Sequence, residues 1–269
     1  MDKQFSIATV QHAIPAPSIH VPTESRFLFA HRGLAACAPE NTMAAFRAAA
    51  DAGATWLEMD VDILGDGTPV VLHDSSLDRT TDHHGSMYSI TAADLPSIDA
   101  GSSFSPQFAG QRIPTFHEFI DFLNDSGMNA NVELKGNEAG KEPALHLIDT
   151  VIEELERLDP ERQIIISSFS PLQLAEFHRR APGYAIGVLF EKSTIRYDWR
   201  TILEWCGAQY IHMEDTPELD DLISLPLKAG YGVNVWTVDN PGRARHLLAK
   251  GASGIFTNAV DELLHHVTL

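Results

Sequence analysis

From Phe27 onward the chain alternates short apolar runs with longer stretches whose apolar residues recur every three or four positions. Eight apolar runs stand out, at residues 27–30, 55–61, 129–134, 163–167, 184–190, 209–212, 232–238 and 253–256. Amphipathic stretches follow most of them, near 41–52, 115–126, 140–158, 171–181, 198–206, 217–229, 241–250 and 259–266. Strand and helix patterns that alternate in this way predict parallel strands joined by helical crossovers. Eight such units are the size and number of a closed (β/α)8 TIM barrel, an α/β fold. A doubly wound open sheet is the rival architecture. It is weakened because no GxGxxG turn follows the first strand.

One stretch breaks the rhythm. Between the second run and the helix near 115 lies a long segment with glycine, serine and aspartate clusters, including Gly65–Gly67, Asp74–Arg79 and His83–Gly85. Loops of this length in compact domains usually carry function or fold on their own. Residues 69–73 are expected to form an extra short strand, and an insertion over about 75–113 is expected to cover the barrel mouth. Residues 1–25, punctuated by Pro15, Pro17 and Pro22, are expected to be an N-terminal arm. The barrel domain then spans 26–269.

Composition narrows the partners. The 269 residues hold 19 basic and 37 acidic side chains, a net charge of −18. Nucleic-acid backbones and anionic membranes need clustered Lys and Arg, so neither is an expected partner. A small-molecule ligand is expected, and a homo-oligomer is compatible with the sequence. An anionic ligand requires local positive charge, for which a bound metal ion is the obvious source. Two distant cysteines, Cys37 and Cys206, offer neither metal spacing nor a disulfide framework. Residues 1–26 lack an apolar run of signal-peptide length, and no run is long enough to span a bilayer. A cytoplasmic location is therefore expected.

In barrels of this kind the chemistry sits where strands end. The first strand ends at His31-Arg32-Gly33, the second carries Glu58 and Asp60, and the short extra strand ends at His73-Asp74. The third strand of the eight carries Glu133 and Lys135. Residues two apart on a strand share a face. Glu58, Asp60 and Glu133 should therefore converge inside the barrel. Three buried carboxylates repel unless a cation joins them, and an all-oxygen set suits Mg²⁺ or Ca²⁺. His31 and His73 supply a pair able to trade a proton near neutral pH. Arg32 and Lys135 add positive charge suited to a phosphate. Asp62 shares the parity of Glu58 and Asp60 but is expected past the strand end, as a solvated loop acid. His212 is expected to be a satisfied barrel histidine, His83, His84, His265 and His266 surface residues, and Cys37 a bystander thiol.

The ordered set of these motifs resembles the glycerophosphodiester phosphodiesterase family. It comprises His31-Arg32-Gly33, Pro39-Glu40-Asn41-Thr42, Glu58-Met59-Asp60-Val61, His73-Asp74 with Leu77-Asp78-Arg79-Thr80-Thr81, Ile113-Pro114-Thr115, Val132-Glu133-Leu134-Lys135, Ser167-Ser168-Phe169 and Trp236-Thr237-Val238. It spans about residues 27–258. The resemblance implies a barrel with an insertion after the second strand and a divalent metal, Mg²⁺ or Ca²⁺, on Glu58, Asp60 and Glu133. It implies an acid/base pair of His31 and His73, with the individual roles left open. It places Arg32 and Lys135 at phosphate-contacting positions, Glu40 at the metal and substrate edge, and Trp236 in the pocket. The implied reaction is metal-dependent hydrolysis of glycerophosphodiesters to sn-glycerol 3-phosphate and an alcohol. Three departures stand out: Leu64-Gly65-Asp66-Gly67 where Thr-Lys-Asp-Gly is common, Thr257-Asn258-Ala259-Val260 where Thr-Asp-x-Pro is common, and His83-His84 where an Asn-Gly-type turn is more usual. None is expected to touch the metal or acid/base set.

Three rival functions are weaker. A sphingomyelinase D-like phospholipase would typically carry disulfides in its loops. A silent binding barrel would not need both histidines and all three acids. An aldolase-type barrel using Lys135 as Schiff-base nucleophile would not place metal-type carboxylates beside it.

Overall fold

The computed structural model of the protein describes residues 26–268, so the expected arm over 1–25 lies outside the described residues. In chain order the elements are β1 (Phe27–His31), α1 (Met43–Asp51), β2 (Trp56–Ile63), β3 (Pro69–Val71), α2 (Phe116–Ser126), β4 (Asn129–Leu134) and α3 (Lys141–Leu155). There follow β5 (Ile164–Ser168), α4 (Pro171–Arg180), β6 (Ala185–Phe190), α5 (Trp199–Cys206), β7 (Tyr210–Glu214), α6 (Leu219–Leu222), α7 (Ser224–Lys228), β8 (Gly232–Trp236), α8 (Pro241–Ala249), β9 (Gly254–Thr257) and α9 (Val260–His266). Eight strands pair in parallel in the order β1-β9-β8-β7-β6-β5-β4-β2, and β1 pairs with β2 to close the barrel. This is the (β/α)8 architecture that the alternating pattern predicts.

Local chemistry starts the helices where the pattern places them. Thr42 caps α1, and Ser170 and Asn240 cap α4 and α8. At α2 Thr115 and Glu118 form a reciprocal capping box. Such caps satisfy first-turn N–H groups that otherwise have no partner in the helix. The single helix expected over 217–229 is instead two short ones, α6 and α7. Pro226 lacks the N–H that would bond to Leu222, and its ring crowds the preceding turn.

The strands present one face outward to the helices and one into the lumen. The outward faces build the main core with Phe46, Phe119, Leu147, Phe177 and Leu247. Inside, Phe29, Trp56, Ile165, Tyr210 and Phe256 form an aromatic and aliphatic plug, with Phe29 and Phe256 stacked at 4.5 Å. His31 and Glu58 each follow a plug residue by two positions, so they lie one layer nearer the carboxyl ends of the strands.

The insertion has its own small core of Leu77, Met87, Leu95, Ile98 and Ile113, continuous with Leu64, Val70 and Leu72. The expected extra strand is β3, shorter than anticipated and antiparallel to β2 through Val61 and Val71. Asp99 organises the far end of the insertion by accepting from the backbone N–H groups of Gly101, Ser102 and Gly110. The insertion packs through its apolar residues against β3 and the end of β2, and none of residues 75–113 is among those lining the central cavity.

Candidate active site

The turn after β1 brings the first two functional side chains into place. Arg32 has φ 56° and Gly33 φ 85°. A Cβ on Gly33 would lie 2.6 Å from Ala45 of α1, so only glycine fits. The left-handed Arg32 turns its backbone N–H onto Glu58 Oε2 at 2.9 Å. Asn41, also left-handed at φ 55°, donates from Nδ2 to Asp60 Oδ2 at 2.8 Å. Asparagine tolerates this backbone region better than most residues.

Register completes the carboxylate group. His31 of β1 pairs with Glu58 of β2, and Asp60 of β2 pairs with Glu133 of β4. One oxygen from each of Glu58, Asp60 and Glu133 falls within 4.8 Å of the others, and all three residues are buried. Two cations lie behind them. Lys135 Nζ is 2.7 Å from Glu133 Oε1 and 3.2 Å from Asp60 Oδ1, and Arg32 Nε is 3.3 Å from Asp60 Oδ2.

The charges do not balance within the protein. Burial raises Glu58 well above the usual carboxylate range, and Asp60 and Glu133 add to the rise. Burial, then the Asp60 charge, pushes Glu133 up to about 7 against the pull of Lys135. At Asp60 burial acts upward too, but Lys135 and Arg32 outweigh it and hold this acid well below its ordinary value. Three buried carboxylates set against two cations fit a hard divalent cation.

The two histidines line the same cavity, of about 210 Å³, with Arg32, Glu58 and Glu133. His31 Nδ1 lies 2.8 Å from Asn258 Oδ1, and its Nε2 is 3.9 Å from Glu58 Oε2. Burial, reinforced by Arg32, lowers the His31 pKa to about 4. His73 Nδ1 is 2.5 Å from Asp74 Oδ1. Burial lowers His73 as well, with Asp60 and Asp74 pulling it back up. Arg79 of the insertion grips Asp74 with Nε and Nη2 at 2.6 and 3.0 Å, and Glu40 with Nη1 and Nη2 at 2.7 and 2.8 Å.

The other expected site residues divide. Trp236 lines the cavity. Lys135 and Asp60 stand directly behind the lining. Glu40 is set back further, its oxygens occupied by Arg32 and Arg79. Asp62 is not the solvated loop acid expected from its position. It is 3% exposed because β2 runs on to Ile63, and it accepts from Tyr88 Oη at 2.7 Å and Asn137 Nδ2 at 2.8 Å. His212 points inward but is only half satisfied. Asn234 Nδ2 donates to its Nε2 at 3.1 Å, while Nδ1 has no partner. Gly187 makes room for that ring, which a Cβ would meet at 2.3 Å. The expectation that the 257–260 departure avoids the site is overturned, since Asn258 holds His31.

Several lining residues carry no signal in the sequence pattern alone. Asn131 sits at the cavity floor with Oδ1 unpartnered, and Leu189 and Glu191 lie at the end of β6. Phe169 meets Trp236 with ring centroids 5.5 Å apart and planes at 88°. The run Ser167-Ser168-Phe169 gave the only hint of it. Cys37 is exposed and Cys206 buried, and neither lines the cavity. No helix among the described residues is long and apolar enough to cross a membrane.

Residues 31–262 match the model of the glycerophosphoryl diester phosphodiesterase family. A glycerophosphodiester phosphodiesterase of Caldanaerobacter subterraneus subsp. tengcongensis is 32% identical over 240 residues, 89% of this chain and 97% of the relative. Mouse glycerophosphodiester phosphodiesterase 1 is 35% identical over 269 residues, 90% of this chain and 80% of that protein. An Oleispira antarctica phosphodiesterase, solved with its product sn-glycerol 3-phosphate, superposes with a TM-score of 0.84 at 30% identity, covering 90% of this chain and 96% of the other.

Proposed function

The chain belongs to the glycerophosphoryl diester phosphodiesterase family, and from that premise we propose that it hydrolyses glycerophosphodiesters to sn-glycerol 3-phosphate and a free alcohol, using a divalent cation and a histidine pair. One observation carries the reading. Three buried carboxylates within 4.8 Å of one another border the cavity that both histidines line.

Glu58, Asp60 and Glu133 would hold the cation, Mg²⁺ or Ca²⁺. Bound there, it supplies Lewis-acid stabilisation of charge that grows on the phosphate. Arg32 lines the cavity and adds positive charge on the same side, while Lys135 fixes the orientation of Glu133 and Asp60.

The partners of the histidines separate their roles. His31 faces a neutral amide, sits beside Arg32 and is lowered to about 4, so it is neutral at pH 7 and available at Nε2 to accept a proton. Burial lowers His73 too, but the carboxylates of Asp60 and Asp74 oppose that lowering, so of the two rings it takes up a proton more readily. His31 therefore takes a proton from the attacking water, whose oxygen forms the new bond to phosphorus. The bond to the leaving alcohol breaks, and the proton from His73 passes to that oxygen.

The wall away from the carboxylates suits a cationic alcohol. Phe169 and Trp236 form a right-angled aromatic corner, and Glu191, whose carboxylate accepts from Ser193 Oγ at 3.0 Å, lines the same cavity. Aromatic faces with a nearby carboxylate attract quaternary ammonium groups. Glycerophosphocholine is expected to be cleaved with higher kcat/KM than glycerophosphoglycerol. Phe169→Ala should raise KM for the choline diester by roughly 3- to 10-fold, consistent with about 1 kcal/mol of cation–π attraction. Phosphorus NMR of the products identifies glycerol 3-phosphate and measures both rates. Equal kcat/KM for the two diesters in the wild type counts against the subsite, and absence of glycerol 3-phosphate counts against the reaction.

The acids also predict how a cation affects stability. Glu133 is an acid raised in the folded state, so without a cation folding loses stability as pH climbs from the ordinary carboxylate range through about 7. A cation removes that penalty, and protons compete with it at low pH. Mg²⁺ or Ca²⁺ should therefore raise Tm by several degrees at pH 8 and much less at pH 5. Thermal unfolding against EDTA controls checks this, and an equal gain at both pH values contradicts it.

A further inference from the structure

Proton acceptance at His31 Nε2 requires the resting proton of that ring to sit on Nδ1. The residues around Asn258 contain a device for this. His31 Nδ1 meets Asn258 Oδ1 at 2.8 Å. On its other side Asn258 Nδ2 donates to Asp239 Oδ2 at 3.0 Å. The backbone N–H of Asn258 donates to Asp239 Oδ1 at 2.7 Å, and Thr257 Oγ1 donates to the same oxygen at 3.0 Å.

A carboxylate only accepts hydrogen bonds. The amide nitrogen of Asn258 must therefore face Asp239, which leaves the amide oxygen facing the imidazole. A carbonyl oxygen is met there only by an N–H. We propose that Asp239, just after β8, is a positioning residue that acts through Asn258 to fix His31 as the Nδ1–H tautomer, with the Nε2 lone pair toward the cavity. The inference rests on the reading of His31 given under Proposed function.

The departure at Asn258 gains a meaning from this arrangement. Where the Thr-Asp-x-Pro pattern would put a carboxylate beside the imidazole, this chain puts an amide. The carboxylate is kept one link further out, on a different strand end. Charge is moved away from His31 while the direction of the hydrogen bonds is preserved.

Asp239→Asn is the informative change. Three donors converge on two oxygens, and asparagine offers one oxygen. If that oxygen keeps Thr257 and the Asn258 N–H, the new NH2 confronts Asn258 Nδ2. Asn258 then turns over and presents its NH2 to His31, which selects the Nε2–H tautomer. A wrong tautomer is costly in catalytic triads of the same logic. Because the full network lies partly in solvent, the expected loss is about 10- to 100-fold in kcat, with KM within about threefold.

The double variant Asp239→Asn with Asn258→Asp restores the polarity. Residue 239 then donates to the carboxylate at 258, which accepts from His31 Nδ1. It should recover at least about tenfold in kcat over Asp239→Asn. Nitrogen-15 NMR of histidine-labelled, metal-free full-length protein reads the tautomer directly, with His31→Gln identifying the signal. The proposal expects Nδ1–H in the wild type and in the double variant, and Nε2–H in Asp239→Asn. Nε2–H in the wild type, or the wild-type tautomer and kcat in Asp239→Asn, overturns it. A folded double variant no better than Asp239→Asn overturns it too. The NMR result does not depend on turnover. Full activity of His31→Ala would thus remove the catalytic reading while leaving the tautomer assignment to be judged separately.

Discussion

Glu133→Gln is expected to lower kcat by about 10³-fold or more at any attainable Mg²⁺ or Ca²⁺ concentration. The substitution is nearly isosteric, so the strand and its neighbours need not move. What it removes is one negative charge from a set whose oxygens lie within 4.8 Å of each other. Lys135, held 2.7 Å from Glu133, keeps its second partner Asp60 at 3.2 Å. Glu58 and Asp60 remain, but with Arg32 and Lys135 close by, two acids no longer outweigh two fixed cations. Cation affinity should fall along with turnover. The metal-free variant should also be less pH-sensitive in Tm than the wild type, because the acid raised to about 7 is gone. Calorimetric titration with Mg²⁺ and Ca²⁺, alongside kcat, separates this from misfolding. Wild-type turnover in a folded Glu133→Gln protein would remove Glu133 from the ligand set.

The histidines should produce losses of about 10²–10⁴ in kcat, and the leaving group should tell them apart. His73 is assigned the proton that passes to the departing alkoxide. A diester with a good leaving group, such as the glycerophosphoryl ester of p-nitrophenol, does not need that proton. His73→Ala should therefore be crippled on glycerophosphocholine and much less affected on the nitrophenyl ester. His31→Ala should be slow on both, since the attacking water still has to be deprotonated. The substitution at 73 leaves Asp74 held by Arg79, so the local scaffold survives. Rates of both variants on both esters decide the assignment. The reverse pattern would exchange the two roles, and near-wild-type rates for both variants on both substrates would exclude the pair.

Much of this site was legible because it obeys strand parity. Glu58 and Asp60 are two residues apart, Glu133 stands opposite Asp60, and a barrel turns that register into convergence. The closed fold was legible for the same reason, through eight repeated units. Parity alone does not tell how far β2 continues, so the pattern places Asp62 in solvent although Tyr88 and Asn137 cover it. Those two residues come from the insertion and the loop after β4, and nothing in their spacing links them to β2. Asn258 and Asp239 were hidden differently. Each is an ordinary loop residue after its own strand, and they gain meaning only when β8 and β9 bring both beside β1. The insertion was visible as a break in rhythm. Its side of the barrel was set by its apolar contacts with β3, which only the three-dimensional packing displays.

Turnover is proposed to depend on a cation held by Glu58, Asp60 and Glu133 at the site of phosphodiester cleavage. Release of sn-glycerol 3-phosphate from glycerophosphocholine, followed in the presence of Mg²⁺ or Ca²⁺, then after EDTA, then after excess cation is restored, tests it directly. The predicted result is loss of turnover on chelation and recovery on re-addition, with Glu133→Gln failing to recover. Undiminished turnover in EDTA, by protein shown to be stripped of divalent metal, would contradict it.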